Sequence, residues 1–124
     1  MKLYPIPRWE TAMAQLWDNP VGTDGFEFVE YTAPDVGQLN SFFENMGFRA
    51  VGRHRSKAVT LYRQGDTNFI VNAEPHSHGS RFAKAHGPSA CAMAFRVKDA
   101  PAALKKLVAL GAKPFENHVG PMEL

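Results

Sequence analysis

The sequence predicts an α+β fold in which a strand-helix-strand-strand-strand (βαβββ) unit occurs twice, the second copy cut short. Two strand-like segments, 26–33 and 91–97, each lead to an aspartate, a helical apolar stripe and a glycine. Asp35 and Asp99 lie 64 residues apart, as do Gly47 and Gly111, and the same offset pairs Phe43 with Leu107, Met46 with Leu110 and Val51 with Phe115. Caps, stops and core positions that coincide without a gap indicate an internal duplication. The first unit ends near Ala73, so the second would run to about residue 137 by the same spacing. The chain has 124 residues. The last two strands of the second unit are therefore expected to be missing or only begun, leaving an unpaired sheet edge and an uncovered apolar face.

Residues 1–24 read as a leader. Pro5 and Pro7 interrupt regular structure, then Trp9, Met13, Leu16 and Trp17 recur at the spacing of a short amphipathic helix. Asn19-Pro20 and Gly22 to Gly25 form a turn-rich joint. The domain proper is 25–124: a first unit at 25–73, a connection at 74–88 and an incomplete second unit at 89–124. Phe26 to Ala33 is a strand with Phe26, Phe28 and Glu30 on one face and Glu27, Val29 and Tyr31 on the other. Asp35 caps a helix, with Gln38 at the reciprocal capping-box position. Val36, Leu39, Phe43 and Met46 make its apolar stripe, and Gly47 ends it.

Strands follow at 48–53, 58–64 and 67–73, the last two joined by a two-residue Gly65-Asp66 loop of the II′ kind. A short helix fits 80–86. Cys91, Met93, Phe95 and Val97 then alternate as in a half-buried strand. Asp99 caps a helix that tolerates Pro101 in its first turn. Leu104, Leu107, Val108 and Leu110 form its apolar side, Gly111 stops it, and 113–117 begins another strand.

Composition excludes several classes. With 44% hydrophobic and 21% charged residues the chain suits one soluble globular domain, and a net charge of +2 is far from a nucleic-acid-binding signature. Cys91 is the single cysteine, which rules out an intrachain disulfide framework or cysteine-based zinc site. No apolar run reaches membrane-spanning length, and the N-terminus lacks a signal-peptide pattern. The expected compartment is the cytoplasm, with neither nucleic acid nor membrane as partner.

The words of the sequence narrow the fold further. Gly25-Phe-Glu-Phe-Val-Glu-Tyr-Thr-Ala-Pro34, His54-Arg-Ser-Lys57, Leu61-Tyr-Arg-Gln-Gly65, the run from His86-Gly-Pro through Asp99, Leu110-Gly-Ala112 and Gly120-Pro-Met-Glu-Leu124 resemble the N-terminal domain of bacterial 4-hydroxyphenylpyruvate dioxygenases. Those enzymes belong to the vicinal oxygen chelate superfamily, with glyoxalase I and the extradiol dioxygenases. The resemblance covers about residues 18–124. It implies an Fe(II)-dependent parent enzyme that converts 4-hydroxyphenylpyruvate and dioxygen to homogentisate and carbon dioxide in tyrosine catabolism. It also implies that the iron ligands, two His and one Glu, lie in a C-terminal domain.

No catalytic, cofactor-binding or metal-binding residue is assigned to this chain. Metal-binding superfamily members place a ligand in the first strand of each unit, and the 64-residue offset puts those positions at Phe28 and Ala92, neither of which ligates iron. Glu74, His76 and His78 could form a weak two-His, one-carboxylate site, but a polar loop without a rigid scaffold is the preferred reading. His86 is expected to support the turn before Pro88, and His118 lies near the end of the chain. His54 belongs to a basic cluster with Arg49, Arg53, Arg55 and Lys57. That cluster could attract an anionic keto acid or an acidic surface, although a solvated hairpin end is the commoner reading. Glu30 points at a semi-buried sheet surface, with Arg63 or Arg96 as its expected partner, and Cys91 reads as a small core residue.

The favoured reading is therefore a non-catalytic domain, inactive by itself. It would scaffold an iron-bearing C-terminal domain or pair with another subunit in a homo-oligomer. The alternative is a stand-alone small-molecule-binding module completed by dimerisation. A free-standing metalloenzyme like glyoxalase I is disfavoured by Phe28 and Ala92.

Overall fold

The computed structural model describes residues 18–115. The elements run β1 (Thr23–Thr32), α1 (Val36–Asn45), β2 (Arg49–Arg53), β3 (Val59–Gln64), β4 (Thr67–Asn72), α2 (His78–His86), β5 (Ser89–Val97) and α3 (Ala100–Ala109). The leader helix expected at 8–17 and His118 lie outside the described residues. The strands form one mixed sheet in the order β2-β3-β4-β1-β5. β1 runs parallel to β4, whereas β3 is antiparallel to both β2 and β4. Phe26 stacks on Phe95 and Glu30 meets Cys91, so residue numbers rise along β1 as they fall along β5. β5 is thus antiparallel to β1 and forms an edge of the sheet.

The chain divides into two compact units. One spans 24–96 and carries almost all of the sheet. In it, Asp35 accepts a hydrogen bond from Gly37 N (2.9 Å) and starts α1. Among the described residues the expected reciprocal bond, from Asp35 N to the Gln38 side chain, is absent, so the capping box is reduced to its N-cap half. Gly47 ends α1 at φ +90°, and an added Cβ there would come within 2.7 Å of Gln64 Nε2. That amide donates to Met46 O (3.1 Å), tying the helix end to β3. Gly65 has φ +54° while Asp66 keeps a negative φ, as a type II′ hairpin requires.

The core of this unit is aromatic. Phe43 is 2% exposed and its ring centroid lies 5.0–6.0 Å from those of Tyr31, Phe48, Tyr62 and Phe69. Val71 completes the cluster, with Val36 and Leu39 packed against it. Met46, expected in the same stripe, caps the helix and is 49% exposed.

The other unit comprises, among described residues, 18–23 and 97–115. Lys98 N donates to Gly22 O (3.2 Å), and Asp99 caps α3 by accepting from Ala102 N (3.0 Å). Gly111, at φ +99°, stops α3 as Gly47 stops α1. Two expectations fail here. Leu104, Leu107, Val108 and Leu110 are all more than two-fifths exposed, and the buried residue of α3 is Ala103. Periodicity shows which residues share a face; burial depends on a tertiary partner that the described residues do not supply. Residues 113–115 are irregular where a strand was expected, and 116–117 lie outside the described range.

Two substitutions test this account by urea denaturation. Gly47→Ala is expected to cost about 1–2 kcal/mol from the left-handed backbone alone, plus whatever is lost when Gln64 is displaced. Phe43→Ala is expected to cost about 3–5 kcal/mol.

Candidate functional site

Side chains alternate along a strand, so the aromatic cluster that seats α1 also fixes the opposite face of the sheet. Tyr31, Phe69 and Tyr62 pack towards Phe43. Phe26, Phe28 and Glu30 of β1 therefore point the other way, as do Asn68, Ile70 and Asn72 of β4 and Leu61 and Arg63 of β3. Cys91 and Phe95 of β5 join them through their contacts with Glu30 and Phe26. Met93 lies between those two on the same face. This open face is the candidate site.

It is apolar at one end and polar at the other. Phe26 and Phe95 stack with centroids 4.8 Å apart, yet each remains more than half exposed, as does Met93. Near the other end Glu30 Oε1 accepts from Asn72 Nδ2 (2.8 Å) and from Cys91 Sγ (3.5 Å). Asn72 is held in turn, its Oδ1 accepting from Glu74 N (2.9 Å). α2 closes this end: an added Cβ on Gly79 would lie 3.3 Å from Asn72 Nδ2 and 3.4 Å from Thr32 Oγ1. Burial pushes the Cys91 thiol up to about 11, with the Glu30 charge and hydrogen bond adding to it. Cys91 is thus a half-buried, protonated donor to Glu30 instead of a core filler.

Glu30 finds neither of its expected arginine partners. Arg96 Nε pairs with Glu27 Oε2 at 2.8 Å, and Arg63 Nε donates to Asn68 Oδ1 at 2.8 Å. Arg96 lies on the face away from Glu30, which the alternation Cys91, Met93, Phe95 already implies.

The 64-residue ruler slips by one between strand and helix. Helix caps and stops keep the offset, but Glu27 faces the α1 side while Cys91, 64 residues later, faces the open side. A one-residue shift swaps faces. β1 ends three residues before its cap Asp35, whereas β5 ends two before Asp99. The open-face counterpart of Phe28 is therefore Met93, and Ala92 points to the other side.

An Fe(II) facial triad needs two imidazoles and a carboxylate with open coordination positions. The open face offers one carboxylate, already bonded through Oε1, with phenyl, thioether and thiol groups around it and no imidazole among the described residues. This donor set does not fit the metal.

The described histidines lie elsewhere. His54 Nδ1 accepts from Ser56 N and Lys57 N, both at 3.2 Å, and shapes the β2–β3 loop. Glu74 Oε2 accepts from Ala58 N (2.6 Å), and among the described residues Glu74, His76 and His78 do not converge on a position that could hold a metal ion. His78 and His86 both flank Phe82 along α2, with centroids 5.9 and 4.4 Å from its ring. His86 thus packs within its helix and has no evident role in the turn. The basic cluster separates as well. Arg49, opposite Arg63, faces the open side; a register shift between Ala50 and Gly52 interrupts the alternation of β2, so Arg53, opposite Thr60, faces the α1 side, and Arg55 and Lys57 lie in the loop.

The family model described as hydroxyphenylpyruvate dioxygenase, HPPD, N-terminal matches residues 17–124. The chain is 59% identical over 109 residues to hemolysin VllY of Vibrio vulnificus (strain CMCP6), covering 86% of this chain and 30% of that protein. It is 55% identical over 111 residues to 4-hydroxyphenylpyruvate dioxygenase of Pseudomonas sp. (strain P.J. 874), covering 90% and 31% respectively. A solved structure of a xylose isomerase-like TIM barrel/4-hydroxyphenylpyruvate dioxygenase fusion protein superposes with TM-score 0.72 at 42% identity, covering 92% of this chain and 20% of that one. The chain spans about three-tenths of the length of the first two relatives.

The Glu30–Cys91 contact makes a measurable claim. The rate of Cys91 alkylation by iodoacetamide should keep rising up to about pH 11, beyond the ordinary thiol value of 9.0. Glu30→Gln removes the charge, so the midpoint should move down towards that ordinary value. An unchanged midpoint would assign the whole effect to burial.

Proposed function

The chain belongs to the hydroxyphenylpyruvate dioxygenase N-terminal family, and on that premise we propose that it is the non-catalytic N-terminal domain of a 4-hydroxyphenylpyruvate dioxygenase. In this reading the whole enzyme uses Fe(II) and dioxygen to convert 4-hydroxyphenylpyruvate to homogentisate. A C-terminal domain holds the iron, and the present chain scaffolds that domain and subunit contacts in a cytoplasmic homo-oligomer.

The observation that carries the reading is the chemistry of the open face. Where a metal-bearing relative needs ligands, β1 and β5 present Phe28 and Met93. The covered fraction of the relatives supports it too, since about seven-tenths of their length lies outside the match. Exposed apolar side chains support a partner. Phe26, Met93 and Phe95 stand on the open face, and Leu104 and Leu110 on α3, each more than half exposed. No helix among the described residues is long and apolar enough to cross a membrane.

The chain by itself, supplied with Fe(II), ascorbate and 4-hydroxyphenylpyruvate, should take up no oxygen above the iron-only blank and form no homogentisate. Product formation above that blank would refute the non-catalytic role. Light scattering should show association at micromolar concentration; a monodisperse monomer with a sharp two-state melt would count against the exposed faces being interfaces.

A further inference from the structure

One corner of the open face carries an electrostatic arrangement that the scaffold role leaves unexplained. Arg49 of β2 and Arg63 of β3 are direct cross-strand partners. The next pair is Ala50 and Tyr62, and Tyr62 is buried in the aromatic core. By alternation both arginines project onto the open face. Like charges directly opposite one another destabilise a strand pair, and among the described residues neither guanidinium is ion-paired.

Arg63 is nevertheless held in place. Its Nε donates to Asn68 Oδ1 (2.8 Å), and Asn68 Nδ2 donates to Glu27 O (3.1 Å). Among the described residues the two terminal nitrogens of Arg63 have no partner, so they remain available as a planar pair of donors. The ground beside the arginines is apolar. Leu61 pairs with Gly52 on one side and with Ile70 on the other. Leu61 and Ile70 are half-buried, and Gly52 adds no side chain beside Leu61, whose Cβ a Cβ on Gly52 would meet at 3.9 Å. Glu30 stands beyond Ile70 as its β1 partner. An anion would therefore be drawn to the arginine end and repelled from the Glu30 end.

We infer that this corner binds an amphipathic carboxylate, its head between Arg49 and Arg63 and its apolar body over Gly52, Leu61 and Ile70. A carboxylate presents two acceptors to guanidinium donors and removes the like-charge repulsion. A phosphate would satisfy the arginines equally but gain nothing from the apolar floor. The site goes beyond the scaffold role and stands whether or not the chain is part of a dioxygenase.

The test is a titration of the isotope-labelled full chain by NMR at low salt, with phenylacetate, phenylacetamide, acetate and inorganic phosphate as probes. Phenylacetate should shift the Leu61 and Ile70 amides and the Arg63 Nε–H saturably. Phenylacetamide should not, and acetate and phosphate should bind at least several-fold more weakly. Arg49→Gln should weaken phenylacetate roughly ten-fold, as loss of one charge-assisted contact would, while the rest of the spectrum stays unchanged. Leu61→Gln should weaken phenylacetate and leave acetate as it was. Equal shifts from the amide and the acid, or an affinity within two-fold of wild type in both Arg49→Gln and Arg63→Gln, would overturn the assignment. Phosphate binding as tightly as phenylacetate would overturn its apolar half.

Discussion

The packing of Phe43 against the sheet is the contact on which the rest depends. It seats α1 on Tyr31, Tyr62 and Phe69 and so declares one face of the sheet to be core. Because side chains alternate, every other residue of β1, β3 and β4 is then committed to the opposite face. Phe28, Glu30, Leu61, Arg63 and Ile70 come together there as a consequence of an aromatic cluster on the opposite face. The open face is thus a by-product of core packing, and its chemistry is decided by which residues hold the alternate positions.

Those positions carry phenyl, thioether, thiol and aliphatic groups beside the Glu30 carboxylate. A carboxylate on a half-buried sheet face would ordinarily seek a cation. Glu30 instead accepts from an amide and a thiol, while the nearby arginines are engaged elsewhere or face each other. The face therefore keeps a separated negative corner and positive corner. Catalysis at a facial triad needs imidazoles fixed by rigid strands; this sheet supplies the rigid strands and fills them with phenyl, thioether and thiol groups.

Much of this was legible because the signals are local. An aspartate, a 3.6-residue stripe and a glycine mark a helix through interactions that span only a few residues. Both Asp35/Gly47 and Asp99/Gly111 behaved as their spacing implied. The hairpin at Gly65-Asp66 was likewise contained in its own four residues. The partner of Glu30 was not legible. The candidates were chosen by charge, and the actual donors, Asn72 and Cys91, are selected by strand order and register. Nor could the offset reveal its own slip: a ruler calibrated on helix caps says nothing about one residue removed between strand and cap.

The sequence by itself determined the α+β class, the Asp35/Gly47 and Asp99/Gly111 limits of two helices, and the strand alternation, since each rests on residue type or short-range geometry. Only the tertiary structure decided which face is open, that Met93 and not Ala92 shares it with Phe28, and that Arg49 and Arg63 stand side by side. Those outcomes hang on contacts between strands, from Arg49 opposite Arg63 to Glu27 paired with Arg96, and a shift of one residue in any pairing would turn the side chains to the other face.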